Sequence, residues 1–191
     1  MRYDKGHKEA SRRRIMEVAG ERFRSDGIAA SGLATIMSDA GLTNGAFYPH
    51  FKSKAELVRE SVAAAMEDQA ELMGSGGLEA AIDAYLSANH RDNPATGCTL
   101  AALLPELARE PTETREVWAE RFLSAIRKLA SGLSPQTPDP EGAAIGIYAT
   151  LIGALQLARV VQGTPLSDRI MAAGAGAART LADLEPGMTD E

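Results

Sequence analysis

The 191-residue sequence has one cysteine and one tryptophan, and aromatic residues make up 5% of it. The single Cys98 excludes a disulfide scaffold and a zinc site built from several cysteines. β-Branched aliphatic residues are scarce too, with 6 valines and 9 isoleucines against 34 alanines. No segment alternates apolar and polar residues between hairpin signals. Because alanine favours helices and β-branched residues favour strands, we expect an all-α protein.

Long hydrophobic runs are also missing. The longest stretch without a charged residue, 142–158, has 17 residues and includes three glycines. A bilayer span needs about 20 apolar residues, so this stretch is too short. The first residues are polar and charged, unlike a secretory signal peptide. We expect a cytoplasmic protein with no membrane contact.

Positive charge is in deficit overall, with 20 Lys plus Arg against 26 Asp plus Glu and a net charge of −6. Such a balance disfavours phosphate-rich partners when the chain is taken as a whole. The charges are unevenly distributed, however. Residues 1–60 contain 11 basic and 8 acidic residues, whereas 61–191 contain 9 and 18. The N-terminal part is therefore modestly basic, and nucleic acid is not excluded as its partner.

Apolar residues recur at helical spacing in the N-terminal part. The spacing between residues 8 and 24 predicts a first helix, which Gly27 ends in a left-handed conformation. A second helix is predicted over 32–39, with the Ser31 hydroxyl as its N-terminal cap.

A tight turn follows the second helix, and Gly41 supplies its unusual backbone angles. A short third helix is then predicted over 43–48, capped by Thr43. Two helices joined in this way form a helix-turn-helix, which places the start of the later helix in the major groove of DNA. Many helical hairpins share this pattern, so the spacing alone is not specific.

The rest of the chain is predicted to be helical as well. Ser53 and Glu56 form a capping box that begins a long helix to about residue 73, before glycines at 74–77 break it. Proline and glycine breakers then separate five further predicted helices, at 78–90, 98–108, 112–132, 141–161 and 166–184. The expected architecture has about nine helices, with a helix-turn-helix domain at 1–52 and a helical ligand-binding and dimerisation domain at 53–191.

The run from Thr43 to Leu57, TNGAFYPHFKSKAEL, contains an aromatic-Tyr-x-His-Phe-x-x-Lys pattern in order. It resembles the signature of the TetR family of transcriptional regulators, as do residues 36–43 and the helix that contains Phe23. The resemblance covers about residues 12–57, whereas the remainder matches only in the number of helices. It implies a dimeric regulator, which we take to be a repressor, that binds a palindromic operator in double-stranded DNA. A small apolar effector that binds the C-terminal domain would release it.

Three residues at the start of the third helix are predicted to face DNA. Thr43 and Asn44 can present side chains and free amides to phosphates or base edges. The Asn44 amide is the candidate for direct base recognition, because it can bond adenine through two atoms. Gly45 is small enough to let the helix enter the groove.

Four further residues are predicted on the flanks of that helix. Tyr48 and His50 are expected to donate to phosphates, with ordinary packing at a helix end as the alternative. Ser31 is expected to contact a phosphate from the second helix. Lys54 lies in the first turn of a helix, where a cation is unfavourable, so an anionic partner is expected.

The C-terminal domain contains candidate ligand-binding residues, namely Met66, Trp118, Phe122, Tyr148 and Gln156. Methionine and aromatic residues at helical spacing form plain core more often than a pocket. Gln156 is a polar group in an apolar helix, so its amide needs a partner from the ligand or the second subunit. Cys98, at a helix start, is a candidate redox sensor, with a small buried hydrophobe as the alternative.

Small residues are concentrated in the last two predicted helices. Six of them are the predicted dimer interface: Gly142, Gly146, Ala149, Gly153, Ala173 and Ala177. A glycine inside a helix costs up to about 1 kcal/mol relative to alanine. Close approach of two helices would offset that cost, and the resemblance implies an interface of four helices, two from each subunit.

No Ser/His/Asp, Cys/His or paired-carboxylate spacing supports catalysis, and no glycine loop is suited to a phosphate. We therefore expect no enzyme activity, no cofactor and no metal. Two alternatives remain open: an enzyme that uses a helical cavity, and a protein-interaction module that keeps the helix-turn-helix only as a scaffold.

Overall fold

The structure, a computed structural model, describes residues 5–75 and 77–182. Every regular element in these two ranges is helical, which confirms the all-α prediction. The α-helices are α1 (Lys5–Asp26), α2 (Leu33–Asp39), α3 (Lys54–Ser75), α4 (Leu78–Tyr85), α5 (Ala88–Asp92), α6 (Thr99–Leu107), α7 (Thr112–Ala130), α8 (Pro140–Val160) and α9 (Pro165–Leu181). Two short 3-10 helices cover Asn44–Ala46 and Pro94–Thr96. The predicted end of the last helix at 184 lies outside the described residues.

The predicted helix at 78–90 is wrong in one respect, because the structure divides it into α4 and α5. The Ser87 hydroxyl donates to the Ala84 carbonyl at 2.8 Å and accepts from the His90 amide at 3.2 Å. This side chain therefore ends one helix and caps the next, a competition with regular helix that is typical of serine.

The predicted third helix is also wrong in type. Residues 43–48 form the Asn44–Ala46 3-10 helix followed by a turn, and Thr43 makes no side-chain cap hydrogen bond. Ser31 does not cap α2 either, because Gly32 occupies the N-cap position. The predicted left-handed glycines are confirmed, with φ of 85° at Gly27 and 73° at Gly41.

Two hydrophobic clusters form the core. The first joins α1, α2 and the turn after α2 to α3, and it also takes in Leu103, Leu107 and Trp118 from α6 and α7. The N-terminal region is thus packed against three helices of the remainder. The domain boundary between 52 and 53 stays a prediction, because α3 contributes side chains to both clusters.

The second cluster is centred on α8 and α9. A Cβ at Gly174 would lie 2.4 Å from the Ala154 Cβ, so the close contact of these two helices requires glycine there. Within the described ranges, α8 is the one helix that is long and apolar enough to cross a membrane by length and composition. Eight of its residues are buried in the second cluster, as in a core helix.

Candidate nucleic-acid interface

Residues 43–50, which we call the recognition segment, lie at the surface beside α2. Thr43, Asn44 and Gly45 are exposed, and Tyr48 exposes 71% of its surface. A large aromatic ring that is this exposed is unusual in a core-forming motif. The segment therefore presents hydroxyl and amide groups outward, as a surface that contacts DNA requires.

Two phenylalanines hold the recognition segment from beneath. Phe47 and Phe51 are each 1% exposed, and their rings stack with centroids 5.6 Å apart. The Tyr48 ring meets Phe47 edge-on at 5.4 Å. This packing fixes the backbone of the segment, which explains why a short 3-10 helix keeps a defined orientation.

Arg12 joins three parts of this region. Its guanidinium carbon lies 4.2 Å from the centre of the Phe51 ring. The same group donates to the His50 carbonyl and to the Glu60 carboxylate on α3. Arg12 thereby ties α1 to the recognition segment and to α3, through a cation–π contact and two charge-assisted hydrogen bonds.

His50 is half-buried, and its Nδ1 atom is buried without a hydrogen-bond partner in the part of the chain that is described. Burial lowers its pKa below the ordinary value, and the charges of Lys8 and Arg12 add to the effect. The ring is therefore neutral near pH 7. The side chain lies at the predicted phosphate-contacting edge, with exposed Lys8 near it.

Two of the predicted DNA contacts have hydrogen-bond partners inside the chain. Ser31 is 3% exposed, and its hydroxyl donates to the Gly27 carbonyl at 2.7 Å. Lys54 donates through Nζ to the Ile28 carbonyl, so its partner is a carbonyl of this chain rather than the expected anion. Both side chains hold the loop that joins α1 to α2.

Gly45 is free of internal packing constraints, because a Cβ added there would meet no atom within 4 Å. The small residue is therefore not needed for the fold, which is consistent with close approach by an outside partner. Exposed Lys8 and Lys52, which are not among the predicted site residues, also lie near the segment, and the charge of Lys8 acts on His50. Lys52 lies inside the signature, between Phe51 and Ser53, and this position is the sequence feature that indicates a place beside the DNA-facing residues.

The capping box beside the segment is confirmed at Ser53, whereas its Glu56 half bonds the amide one residue before the cap. The Ser53 hydroxyl accepts from the Glu56 amide at 3.1 Å. The Glu56 carboxylate reaches back to the Lys52 amide at 2.6 Å. The start of α3 is thus anchored to Lys52, two residues after the recognition segment.

Three of the five predicted ligand residues line an apolar groove of about 580 Å³ in the C-terminal region, which we call the outer groove. Its walls come from α3, α6, α7 and α8, and include Met66, Leu100, Leu104, Leu107, Trp118, Phe122, Ile145, Ala149, Ile152 and Gly153. Trp118 also donates through Nε1 to the Arg59 carbonyl at 3.1 Å, which fixes the orientation of its ring.

The other two predicted ligand residues lie apart from this groove. Tyr148 meets Phe122 edge-on at 5.5 Å, and burial raises its pKa to about 12. Gln156 is half-buried within the single chain, and its predicted partner in a ligand or the second subunit stays a prediction. Cys98 is 4% exposed at the N-cap of α6, and its amide donates to Nε2 of His90 at 2.9 Å.

The predicted dimer residues divide into two groups. Ala149, Ala173 and Ala177 are exposed, and a Cβ at Gly153 would meet nothing within 4 Å. Gly142 and Gly146 instead have neighbours inside the chain. A Cβ at Gly142 would lie 2.2 Å from Oδ2 of the capping Asp139, and one at Gly146 would lie 3.3 Å from Leu181. The predicted role of these last two has a competing explanation within the subunit.

Comparison with known proteins identifies the N-terminal region. Residues 15–61 match the family model described as bacterial regulatory proteins, tetR family. Over 59 residues the chain is 42% identical to the HTH-type transcriptional regulator TtgR of Pseudomonas putida. It is 37% identical over 59 residues to the HTH-type transcriptional regulator AcrR of Shigella flexneri. The matches cover 31% of this chain and 28% and 27% of those relatives, respectively.

Solved structures share the fold over almost the whole chain. The reduced form of NemR from E. coli has a TM-score of 0.71 at 18% identity, covering 95% of this chain and 100% of that one. A TetR-family transcriptional regulator from Cytophaga hutchinsonii has a TM-score of 0.72 at 19% identity, covering 96% and 99%. Residues 15–61 therefore match the N-terminal domain of the TetR family, and the chain as a whole shares the fold of solved TetR-family structures.

Proposed function

We propose that this protein is a sequence-specific DNA-binding regulator of transcription that acts as a dimeric repressor in the cytoplasm. The observation that carries the proposal is the exposure of Thr43, Asn44 and Tyr48 on the recognition segment. The buried, stacked rings of Phe47 and Phe51 hold this segment in place. Asn44 reads bases in the major groove, while Thr43, Tyr48 and His50 position the helix-turn-helix on phosphates. The relatives TtgR and AcrR are named as regulators of the same type.

A palindromic operator is read by two copies of such a segment. The exposed faces of α8 and α9 supply a surface for pairing, because Ala173 and Ala177 of α9 leave room for close approach of a second pair of helices. Val160 is 82% exposed and Leu157 is 60% exposed on α8, so apolar area is available as well. Burial of this surface in a dimer would stabilise the pair.

Release from DNA follows from contacts between the two regions. Arg24 of α1 donates to the Ala95 carbonyl at 2.6 Å and to the Thr99 hydroxyl at 3.2 Å. Glu106 of α6 accepts from the Ile28 amide at 2.8 Å and from the Ala29 amide at 3.3 Å. A ligand that displaces α6 therefore moves α1 and the loop before α2.

The continuous helix α3 provides a second connection, since it begins at the recognition segment and lines the outer groove with Met66. A ligand that favours a different position of α3 and α6 changes the distance between the two recognition segments of the dimer. This is a population shift between two conformations, and its size is limited by how much better the ligand binds one of them.

Selection of genomic fragments by the purified protein, followed by electrophoretic mobility shift, tests the proposal. We expect a protein dimer to bind a palindromic site and Asn44→Ala or Tyr48→Ala to weaken binding at least tenfold while the circular dichroism spectrum stays unchanged. Ser124→Ala, at an exposed position of α7, is the matched control. Absence of any specific fragment would refute DNA-binding regulation and favour the alternatives of an enzyme or an interaction module.

A further inference from the structure

Three neighbouring cavities in the C-terminal region share their walls. The outer groove is separated by a small space of about 20 Å³, the throat, from a third space of about 400 Å³, the inner cavity. Met66, Leu100 and Phe122 line both the outer groove and the throat. Gln69 lines both the throat and the inner cavity. The outer groove, the throat and the inner cavity are therefore adjacent, in that order.

The inner cavity is lined by hydrogen-bonding side chains that carry no charge. Gln69, Asn89, Asn93 and Thr96 contribute amide and hydroxyl groups to its wall, and the last three are exposed, so the inner cavity is open to solvent on that side. Tyr85 lines it as well, and its buried hydroxyl lies beside the Cys98 thiol, with no stronger hydrogen-bond partner within residues 5–75 and 77–182. A thiol is only a weak hydrogen-bonding group, so a stronger polar ligand group that reached the Tyr85 hydroxyl would be stabilised.

The last polar side chain of this wall, His90, is also neutral near pH 7. Burial lowers its pKa, and its Nε2 accepts from the Cys98 amide while Nδ1 lies 2.7 Å from the Tyr85 carbonyl. Burial raises the pKa of Tyr85 well above the ordinary value. The inner cavity thus offers no fixed charge with which an ionic ligand group could pair.

The outer groove has the opposite chemistry. Its wall is made of aliphatic and aromatic side chains, and Arg115 is the one charged residue that lines it. Arg115 is exposed, and its Nη2 donates to the Thr112 hydroxyl at 3.2 Å. The groove is therefore suited to an apolar body, and its volume is within the range of about 300–1,000 Å³ that is typical of small-molecule sites.

The throat has room for about one water molecule. The rings of Phe122 and Tyr148 meet there edge-on, and Phe122 is only half-buried. Met66 lies beside them, and its unbranched side chain adapts readily to a new shape. A ligand that occupies both larger spaces has to displace these side chains, and Thr99, which also lines the throat, is the partner of Arg24.

We propose that the C-terminal region binds an elongated, uncharged amphipathic molecule, with its apolar body in the outer groove and a hydrogen-bonding end in the inner cavity. The inference rests on the proposed ligand-responsive function and specifies the chemistry of the ligand. It also predicts the route of the signal, since opening the throat displaces Thr99 and with it the contact to α1.

The single tryptophan and single cysteine of the chain allow a direct test, because Trp118 lies in the outer groove and Cys98 lines the throat. The full-length protein, without DNA, is titrated with 1-decanol and decanamide, and with decanoate and decyltrimethylammonium as charged molecules of equal chain length. Trp118 emission reports on the groove, and the rate of Cys98 modification by a small uncharged maleimide reports on the throat.

We expect both uncharged probes to shift the Trp118 emission and to slow Cys98 modification at least tenfold at saturation. The charged probes should need at least tenfold higher concentrations. Equal or tighter binding of a charged probe would overturn the ligand class. A Trp118 response with an unchanged Cys98 rate would overturn the continuous site, and no response to any probe would overturn both.

A pair of variants on α3 separates the polar end from general effects on folding. Gln69→Leu should weaken decanamide binding at least fivefold, whereas Asp68→Asn, at the exposed neighbouring position, should change it less than twofold. Equal affinity in wild type and Gln69→Leu would contradict the role of the inner cavity. Because no DNA is present, failure here leaves DNA binding intact, and failure to find an operator leaves this result intact.

Discussion

The guanidinium of Arg24 on α1 donates a hydrogen bond of 3.2 Å to the hydroxyl of Thr99, the first residue of α6. Thr99 also lines the throat, so the Thr99 side chain lies between this space and α1, the helix that carries Arg24 and Arg12. Arg24 Nε bonds the Ala95 carbonyl as well, which ties the Pro94–Thr96 turn to the same helix. Under the proposed function, the route from ligand to DNA would therefore be short, and one substitution should interrupt it.

Arg24→Gln should uncouple the two regions. The shorter amide cannot bridge Ala95 and Thr99, so displacement of α6 is no longer transmitted to α1 through this contact. We expect operator affinity without ligand to stay within threefold of wild type, while the loss of affinity caused by 1-decanol is reduced at least fivefold. The control is Arg22→Gln, which is also on α1 and removes ion pairs with Asp26 of α1 and Asp39 of α2. An unchanged ligand response in Arg24→Gln would contradict this route.

Arg12→Gln should destabilise the N-terminal region. The substitution removes the cation–π contact with Phe51 and the ion pair with Glu60. A cation–π contact contributes about 0.5–2 kcal/mol and a hydrogen bond to a charged group about 1.5–3 kcal/mol, and the two are not additive. We expect the free energy of unfolding in urea to fall by about 2 kcal/mol. Arg13→Gln, exposed one position along α1, should change it by at most about 0.5 kcal/mol.

Two nearby lysines should behave differently towards DNA. Lys54 is bonded to the Ile28 carbonyl, whereas Lys52 is exposed beside the recognition segment. A lysine that contacts phosphate adds about 1 to the slope of log affinity against log salt. Lys52→Met should therefore reduce that slope by about 1, and Lys54→Met should leave it unchanged while lowering the urea midpoint. A reduced slope in Lys54→Met would show that this side chain leaves Ile28 to contact DNA.

Stability should fall in mildly acidic solution. Burial lowers the pKa of His90 below its ordinary value of 6.5, so the unfolded chain takes up a proton at a pH where the folded chain does not. The contribution of His90 to stability is present above pH 6.5 and is lost as the pH falls from there towards its folded-state pKa. Urea unfolding between pH 7.5 and 5.5 should show this loss.

His90→Gln isolates the effect from that of His50, whose pKa is lowered as well. The variant should be less stable at pH 7.5 but should lose less stability than wild type on acidification. An identical pH dependence in the two proteins would contradict a neutral buried His90.

Local chemistry explains why the sequence alone predicted much of the candidate site. The conformations of Gly27 and Gly41 are predictable from the sequence because left-handed backbone is nearly restricted to glycine. The capping box was identified because Ser53 and Glu56 bond amides only three or four residues away. The recognition segment was predicted from a contiguous signature, and its exposure agrees with that prediction, while its DNA contacts remain to be measured.

What the sequence by itself determined is thus what depends on near neighbours: the helical class, most of the helix limits and the position of the turn. The tertiary structure decided which partner each polar side chain found. Ser31 and Lys54 bond Gly27 and Ile28 instead of facing outward, and Arg24 reaches residues more than 70 positions away. Such partners depend on how the helices pack, because a buried polar group forms a hydrogen bond with whichever donor or acceptor the fold brings close to it. The division of the C-terminal region into a groove, a throat and a polar cavity has the same origin, since each wall is assembled from helices that lie far apart in the chain.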